Sequence, residues 1–469
     1  MSPLPRSTPS EQQVDAEGVQ ATLDAWERSG TELHSLMVLR HGSVVAEGWW
    51  SPYSAGRRHL LYSLSKTFTA TAAALASGEG LLDLDDTLLS HFPELDADVT
   101  DPRSRAIRLR HVAAMASGHD HETLPEALAE DPANPVRGFL RLPPQAEPGT
   151  LFAYNQPCTF SLGAVVQRRS GRTLTQYLRP LLDRLGAGPV GWLSRDGVEL
   201  GFSGLHARTE DVARLGQLYL SGGRWEGEQL LPDGWVAEAT RSHVATDGEP
   251  NPDWRQGYGF QVWQSRHGYR GDGAFGQFCL VLPEQDAVVV TTAATEDMQT
   301  LLDAVWEHLL PALGAEGDLD ADARLAERLA GLRLRPAGDG GAVEGRWAGH
   351  RTVTPGERTP DGLDALELSE GPEGWTLTLH QAGELFTVPL GAGDWAVGDA
   401  QGADGPVPVA VSAGPVTTAD GTSALAVAVL LLETPHALDL TLHADGQADV
   451  AWRTVPLHRG RLAEMRCPV

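Results

Sequence analysis

Residues 60–80, LLYSLSKTFTATAAALASGEG, decide how the rest of the chain is read. Their middle is built of Ala, Thr and Leu with small residues on several faces. That predicts a helix packed in the protein centre, with Gly78 and Gly80 as its stop. At the start of this helix Ser63 and Lys66 stand three residues apart, on one face, so a hydroxyl and an amine meet there. An unassisted serine is a weak nucleophile and needs a base beside it; a desolvated lysine is neutral near pH 7 and serves. The helix N-terminus adds free N–H groups where an oxyanion would form. Lys66 carries a further distinction. Of the 36 basic residues, 35 are arginine and Lys66 is the one lysine. Arginine does not release its proton in a protein whereas a buried lysine does, so a lone lysine in an arginine-only chain marks proton chemistry.

Working outward, HSLMVLRHGSVVAEGWW (34–50) reads as a β-hairpin about Arg40-His41-Gly42-Ser43. LLDLDDTLLSHFPE (81–94) is a loop and short helix ended by a proline, and 107–116 and 159–184 have the pattern of amphipathic helices. ARTEDVARLGQLYLSGG (207–223) predicts a helix with Thr209 as N-cap and Gly222-Gly223 at its end. From 257 the period changes: GYGFQVWQS, GQFCLVLP and DAVVVTTAA predict a three-stranded antiparallel meander, followed by a helix over 301–313. Helices flanking an antiparallel sheet give an α/β sandwich over 10–315. Residues 316–342 are a helical connector with a Gly-rich linker. After 343 about eight β-like stretches follow with no helix between them, which predicts a separate all-β domain, barrel or sandwich, over 343–469. It opens with Gly345-Arg346-Trp347, a G-x-W as in lipocalin-like barrels.

Tyr62-Ser63-Leu64-Ser65-Lys66-Thr67-Phe68-Thr69 resembles the first box of the penicillin-recognising serine hydrolases, the superfamily of class C β-lactamases, DD-peptidases and related esterases and amidases. Further segments match in order: the acidic loop 81–94; IRLRHVAAMASGHD (107–120), similar to the family's "HLL-x-H-x-SG"; 148–171, with the Tyr-x-Asn box; and 204–235. The resemblance spans about 10–315 and implies an antiparallel sheet flanked by helices plus an all-helical subdomain. It also implies acyl-enzyme chemistry without a metal or other cofactor. Ser63 would be the nucleophile, and Tyr154 would share proton transfer with Lys66. A free tyrosine titrates near ~10, so Tyr154 needs a cationic neighbour such as Lys66 to act as base. The backbone N–H groups of Ser63 and Ala274 would be the oxyanion donors. The third position of the second box is Gln156 rather than Asn, an amide one methylene longer that still suits a substrate carbonyl. The third box, usually Lys-Thr-Gly or His-x-Gly, aligns with Gly271-Asp272-Gly273. Its cation has become glycine, which points away from carboxylate-bearing β-lactams and toward neutral acyl substrates. Arg270 or His267 are the nearby cations that could substitute.

Other features carry less. His119-Asp120-His121-Glu122 has ligand types at a spacing that fits no H-E-x-x-H helix, and reads as a solvated loop. Cys158 reads as a structural thiol, Trp49-Trp50 as packing, and Arg270-Gly271-Asp272 as a coincidental adhesion tripeptide. Arg453, Arg459, Arg461 and Arg466 form either a rim for an anionic substrate or, the simpler reading, partners for acidic neighbours. The composition is that of an ordinary globular protein, with 469 residues, 41% hydrophobic and 21% charged. A net charge of −27 argues against nucleic acid and anionic membrane as partners. Three cysteines exclude a disulfide scaffold. The N-terminus lacks the apolar core of a secretory signal and no apolar run reaches ~18 residues, so the expectation is a cytoplasmic protein with a small-molecule ester, amide or peptide substrate. Two rivals to simple hydrolysis stand. One is acyl transfer, as in penicillin-binding-protein-type thioesterases that cyclise peptides and pair such a domain with a C-terminal barrel. The other is a non-catalytic sensor of acylating compounds.

Overall fold

The computed structural model describes residues 3–372, 374–402, 405–419, 421–457 and 460–468. The predicted hairpin is β1 (Leu33–Arg40) and β2 (Ser43–Trp49). It turns on His41 and Gly42, both at positive φ, the geometry that matches strand twist in a two-residue loop. Four more strands follow late in the chain: β3 (Trp263–Gln264), β4 (Tyr269–Gly273), β5 (Gln277–Leu282) and β6 (Ala287–Ala293). The sheet order is β3-β4-β5-β6-β1-β2, antiparallel throughout. The strand expected over 257–265 is thus reduced to two residues. Gln261 is the cause: it takes a left-handed φ of 60°, and its Nε2 donates to the carbonyls of Val112 and Ala113 at 3.1 and 2.8 Å, holding the segment against the helical region instead of the sheet.

Helix α1 (Ala16–Ser29) buries Val19, Leu23 and Trp26. Helix α2 (Ser65–Gly78) is the predicted central helix, and 11 of its 14 residues are buried. Its threonines find carbonyl acceptors within the helix and beyond it: Thr71 Oγ1 donates to Thr67 O at 2.8 Å and Thr69 Oγ1 to Gly201 O at 2.9 Å. The amphipathic helix expected over 159–184 is two helices, α3 (Gln156–Ser170) and α4 (Leu174–Leu185). Gly171, at φ 68°, caps the first, and a Thr173/Gln176 capping box starts the second. With short helices between 102 and 141 they form the helical region beside the sheet. In α5 (Thr209–Leu220) the N-cap is Arg208, not Thr209. Asp211 accepts from the Arg208 N–H, while the Thr209 hydroxyl bonds Ser35 across to β1 at 2.8 Å. The helix expected over 301–313 begins earlier, as α6 (Met298–Ala304), and continues through a π-turn at Val305–Leu309. Helix α7 (Leu319–Ala330) is the connector.

The C-terminal region forms a separate core. Its strands are β7 (Gly349–Thr354), β8 (Leu363–Gly371), β9 (Gly374–Gln381), β10 (Glu384–Ala392), β11 (Ala396–Gly402), β12 (Gly405–Thr417), β13 (Ser423–Leu431), β14 (Ala437–Leu442) and β15 (Gln447–Trp452). Antiparallel neighbours run β7 to β10 and β12 to β15. Parallel pairings β7–β15 and β10–β12 close eight strands into a barrel, with β11 hairpinned onto β12. Alternate residues such as Leu377, Leu379, Val409, Val411, Val427 and Val429 fill the interior, as closure requires. Trp347 of the G-x-W turn is buried there, and Arg351 donates to its carbonyl at 2.8 Å.

The barrel is docked on the first region through the turn between β13 and β14. Glu433 O accepts from Leu60 N at 2.8 Å, and Leu430, Leu432 and Ala437 pack with Tyr53. Arg453 bridges Asp439 and, across the interface, Glu32 at 2.6 and 2.8 Å. Glu32 in turn contacts His34, which bonds His59 at 2.9 Å. Arg461 pairs with Glu384 and Glu464. Arg453 and Arg461 of the arginine cluster are therefore engaged with acids; Arg459 lies outside the described residues. Among the described residues no helix is long and apolar enough to cross a membrane.

Candidate active site

Ser63 lies in a single 3₁₀ turn, Tyr62–Leu64, that feeds directly into α2, and Lys66 is in the first turn of the helix. Lys66 Nζ is 2.9 Å from Ser63 Oγ and donates to the carbonyl of Phe202, also at 2.9 Å. The lysine is 1% exposed. Burial lowers its pKa from 10.5 to about 7, and Glu122 and Asp272 are the charges that keep it from falling further. The amine thus stands poised at neutral pH between charged and free base.

Tyr154 precedes α3 and is clamped by aromatic neighbours. Its ring stacks on Trp263, centroids 5.5 Å apart, and meets Tyr258 edge-on at 6.1 Å. Lys66 Nζ sits 4.6 Å from the Tyr154 ring centroid. Burial raises the Tyr154 phenol above its ordinary value and the Asp272 charge adds to this, while hydrogen bonding to Ser63 works the other way. Burial and the Asp272 and Glu122 charges thus favour the protonated phenol, and the cationic neighbour expected for this tyrosine, Lys66, is in place beside its ring. Gln156 opens α3, where its backbone N–H donates to Glu122 at 3.0 Å; its Oε1 is buried without a hydrogen-bond partner among the described residues.

Strand β4 lies against the Ser63 turn, and its glycines explain how closely. A Cβ on Gly271 would stand 2.3 Å from Leu64 Cδ1 and 2.7 Å from Thr67 Oγ1; one on Gly273 would stand 2.1 Å from Leu61 O. Asp272 and Arg270 project to the opposite face, as strand alternation requires. Arg270 is wholly buried: Nε donates to Asp272 at 3.0 Å, Nη1 to Asp253 O at 2.9 Å and to Ser265 Oγ at 2.6 Å, and the guanidinium stacks over Trp254 at 4.4 Å. So Arg270 neutralises Asp272 rather than replacing the missing cation. His267 lies exposed in the turn before β4, against Trp306. Ala274 follows β4 and is half-buried; Gln277 Nε2 donates to its carbonyl at 3.0 Å. The neighbours of the two backbone positions, Tyr62 and Phe275, have left-handed φ of 49° and 68°, a conformation costing a bulky residue about 1–2 kcal/mol.

The loop 119–122 is not wholly solvated as expected. Asp120 and His121 pair at the surface, but His119 is buried against Ser117 and the Leu142 carbonyl, and Glu122 turns inward toward Lys66. Burial raises the Glu122 carboxyl, and the N–H groups of Leu124 and Gln156 oppose the rise. Cys158 is buried in α3, its thiol pushed up to about 12. Sequence reasoning missed Glu122 as a neighbour of Lys66, the Phe202 carbonyl and the Trp263 clamp.

Residues 23–313 match the beta-lactamase family. The chain belongs to that family. Its membership marks it as a serine hydrolase. It is similar to the 6-aminohexanoate-dimer hydrolase of Paenarthrobacter ureafaciens, 26% identical over 63% of this chain and 81% of the relative. Among solved structures, a putative beta-lactamase from Bacteroides dorei shares the fold at TM-score 0.53 and 16% identity, covering 63% of this chain and 99% of that one. SurE, solved with D-Leu, aligns at TM-score 0.50 and 19% identity over 92% of this chain and 97% of its own. The fold likeness to SurE thus extends beyond the family domain.

Proposed function

We propose that this beta-lactamase-family protein works through an acyl-enzyme on Ser63 and prefers amides or esters whose acyl part carries no carboxylate. One observation carries the reading: the only lysine of the chain, 1% exposed, stands 2.9 Å from a serine hydroxyl. In its neutral form Lys66 takes the Ser63 proton as Oγ attacks the carbonyl carbon. The oxyanion is received by the backbone N–H groups of Ser63 and Ala274, a donor type whose loss costs roughly 10²–10³ in kcat elsewhere. When the tetrahedral adduct collapses, Tyr154 O–H gives its proton to the leaving nitrogen or oxygen, and the Lys66 ammonium restores the phenol. Water then attacks the acyl carbon by the same relay in reverse. The Gln156 side-chain amide is the candidate donor to a substrate carbonyl. Gly271 in place of a cation, with Arg270 tied to Asp272, supports the neutral acyl group. The amide reading accords with the Paenarthrobacter relative, whose name describes cleavage of an amino-acid dimer.

A serine-directed fluorophosphonate should label the wild type and leave Ser63→Ala unlabelled; full labelling of that variant sinks the assignment. Lys66→Arg keeps the charge but not the deprotonation, and should lose about 10³-fold in kcat. A second reading, transfer of the acyl group to an amine instead of water, accords with the fold neighbour EstCE1, described as a hydrolase with promiscuous acyltransferase activity. Partition of an acyl-enzyme between water and added D-amino acid amide separates the two.

A further inference from the structure

The two backbone donors assigned above have one thing in common outside the site. Ser63 is preceded by Tyr62, and Ala274 is followed by Phe275; both aromatics are left-handed, at φ 49° and 68°. Residues so placed persist only where their surroundings hold them. Their rings meet at 5.4 Å, edge to face, and both rest on the same third ring, His436 of the barrel, at 5.8 and 5.6 Å. His436 is wholly buried. One ring nitrogen, Nδ1, is 2.9 Å from the carbonyl of Thr454, which accepts only, so Nδ1 carries the proton. The other, Nε2, is then bare and accepts from the Tyr62 O–H at 2.6 Å. Burial holds the imidazole down at about 4, in keeping with this neutral tautomer. The ring is braced from behind by Trp452, and the turn before it fixes Leu60 through the Glu433 carbonyl at 2.8 Å.

We propose that His436 is a positioning residue: by holding Tyr62 and Phe275 together it sets the spacing of the Ser63 and Ala274 N–H groups, so that the oxyanion pocket is completed by the C-terminal barrel. The inference rests on the acyl-enzyme reading given under the proposed function. It touches the reaction only through those two neighbours. A misplaced donor weakens the transition state more than the ground state, so kcat falls while KM holds.

The experiment uses the full chain and an activated ester, with phenylboronic acid as a probe that forms a tetrahedral anionic adduct on serine. Removal of the ring in His436→Leu is expected to lower kcat at least tenfold with KM within twofold, and to raise the boronate inhibition constant by the same factor. His436→Gln, which returns an acceptor to Tyr62, should recover part of both. Tyr62→Phe removes one oxygen and leaves the barrel core untouched, so it stands in if the leucine variant does not fold; about fivefold loss in kcat with matched loss of boronate affinity is expected. Wild-type kcat and boronate affinity in Tyr62→Phe, or a loss confined to KM, overturns the proposal. Turnover by Ser63→Ala in the same assay would instead overturn the nucleophile assignment beneath it.

Discussion

Lys66 is the residue on which the chemistry turns, and its environment gives it a pH signature. The folded pKa of about 7 lies below the ordinary 10.5 because burial disfavours the ammonium. The active species is the free amine, so kcat/KM should climb about tenfold per pH unit below 7 and level off above it. Glu122 is the charge that most opposes the fall. Glu122→Gln removes that charge while keeping an acceptor for Leu124 N and Gln156 N, so the acid limb should move to lower pH. A limb that stays in place or moves upward in the pH–rate profile would mean that Lys66 is not the group titrating. Tyr154, held protonated by burial and by Asp272, should leave no ionisation of its own on that limb.

At the scale of elements, β4 and the Ser63 turn form one unit, and glycine is what allows it. Gly271 stands where the family usually carries a cation, yet a Cβ there would be 2.3 Å from Leu64 Cδ1, and Leu64 is itself buried. Gly271→Lys should therefore lower the midpoint of urea unfolding, by an overpacking cost of about 1–3 kcal/mol or more, and should bring no turnover of a chromogenic cephalosporin. Gain of such turnover with stability intact would show that the strand has room to give. The same unit shows what was legible in the sequence. Ser63 and Lys66 were readable because three residues of helix put them on one face, and Tyr154 because its box is local. The Phe202 carbonyl was not, since a backbone oxygen 136 positions from its lysine leaves no mark in side-chain pattern. The helix read over 159–184 broke at Gly171 because apolar period persists across a tight αL cap, and the strand read over 257–265 shrank because one glutamine found better acceptors in the helical region. The barrel was legible as a run of short strands, but its closure depends on parallel pairs between distant strands that no local period encodes.

At the scale of the molecule, two cores meet across a seam that is both apolar and charged. Tyr53, Leu430 and Leu432 pack at its centre, and Arg453 reaches from the barrel to Glu32, next in line to His34 and His59. The Bacteroides structure is covered almost end to end by the part of this chain that shares its fold, so one view is that the barrel is dispensable. The seam argues otherwise for this chain. Removal of residues 343–469 would uncover Leu60, Tyr62 and Phe275, three buried apolar side chains beside the nucleophile, and would leave Glu32 without its arginine. Exposure of those rings favours collapse or association, since contiguous apolar surface on a soluble protein is a binding patch by default. A chain ending at 342 should then bind a hydrophobic dye that the full chain ignores, and lose at least tenfold in kcat even where circular dichroism reports native helix content. Dye binding and kcat both equal to those of the full chain would mean that the barrel rests on the hydrolase without shaping it.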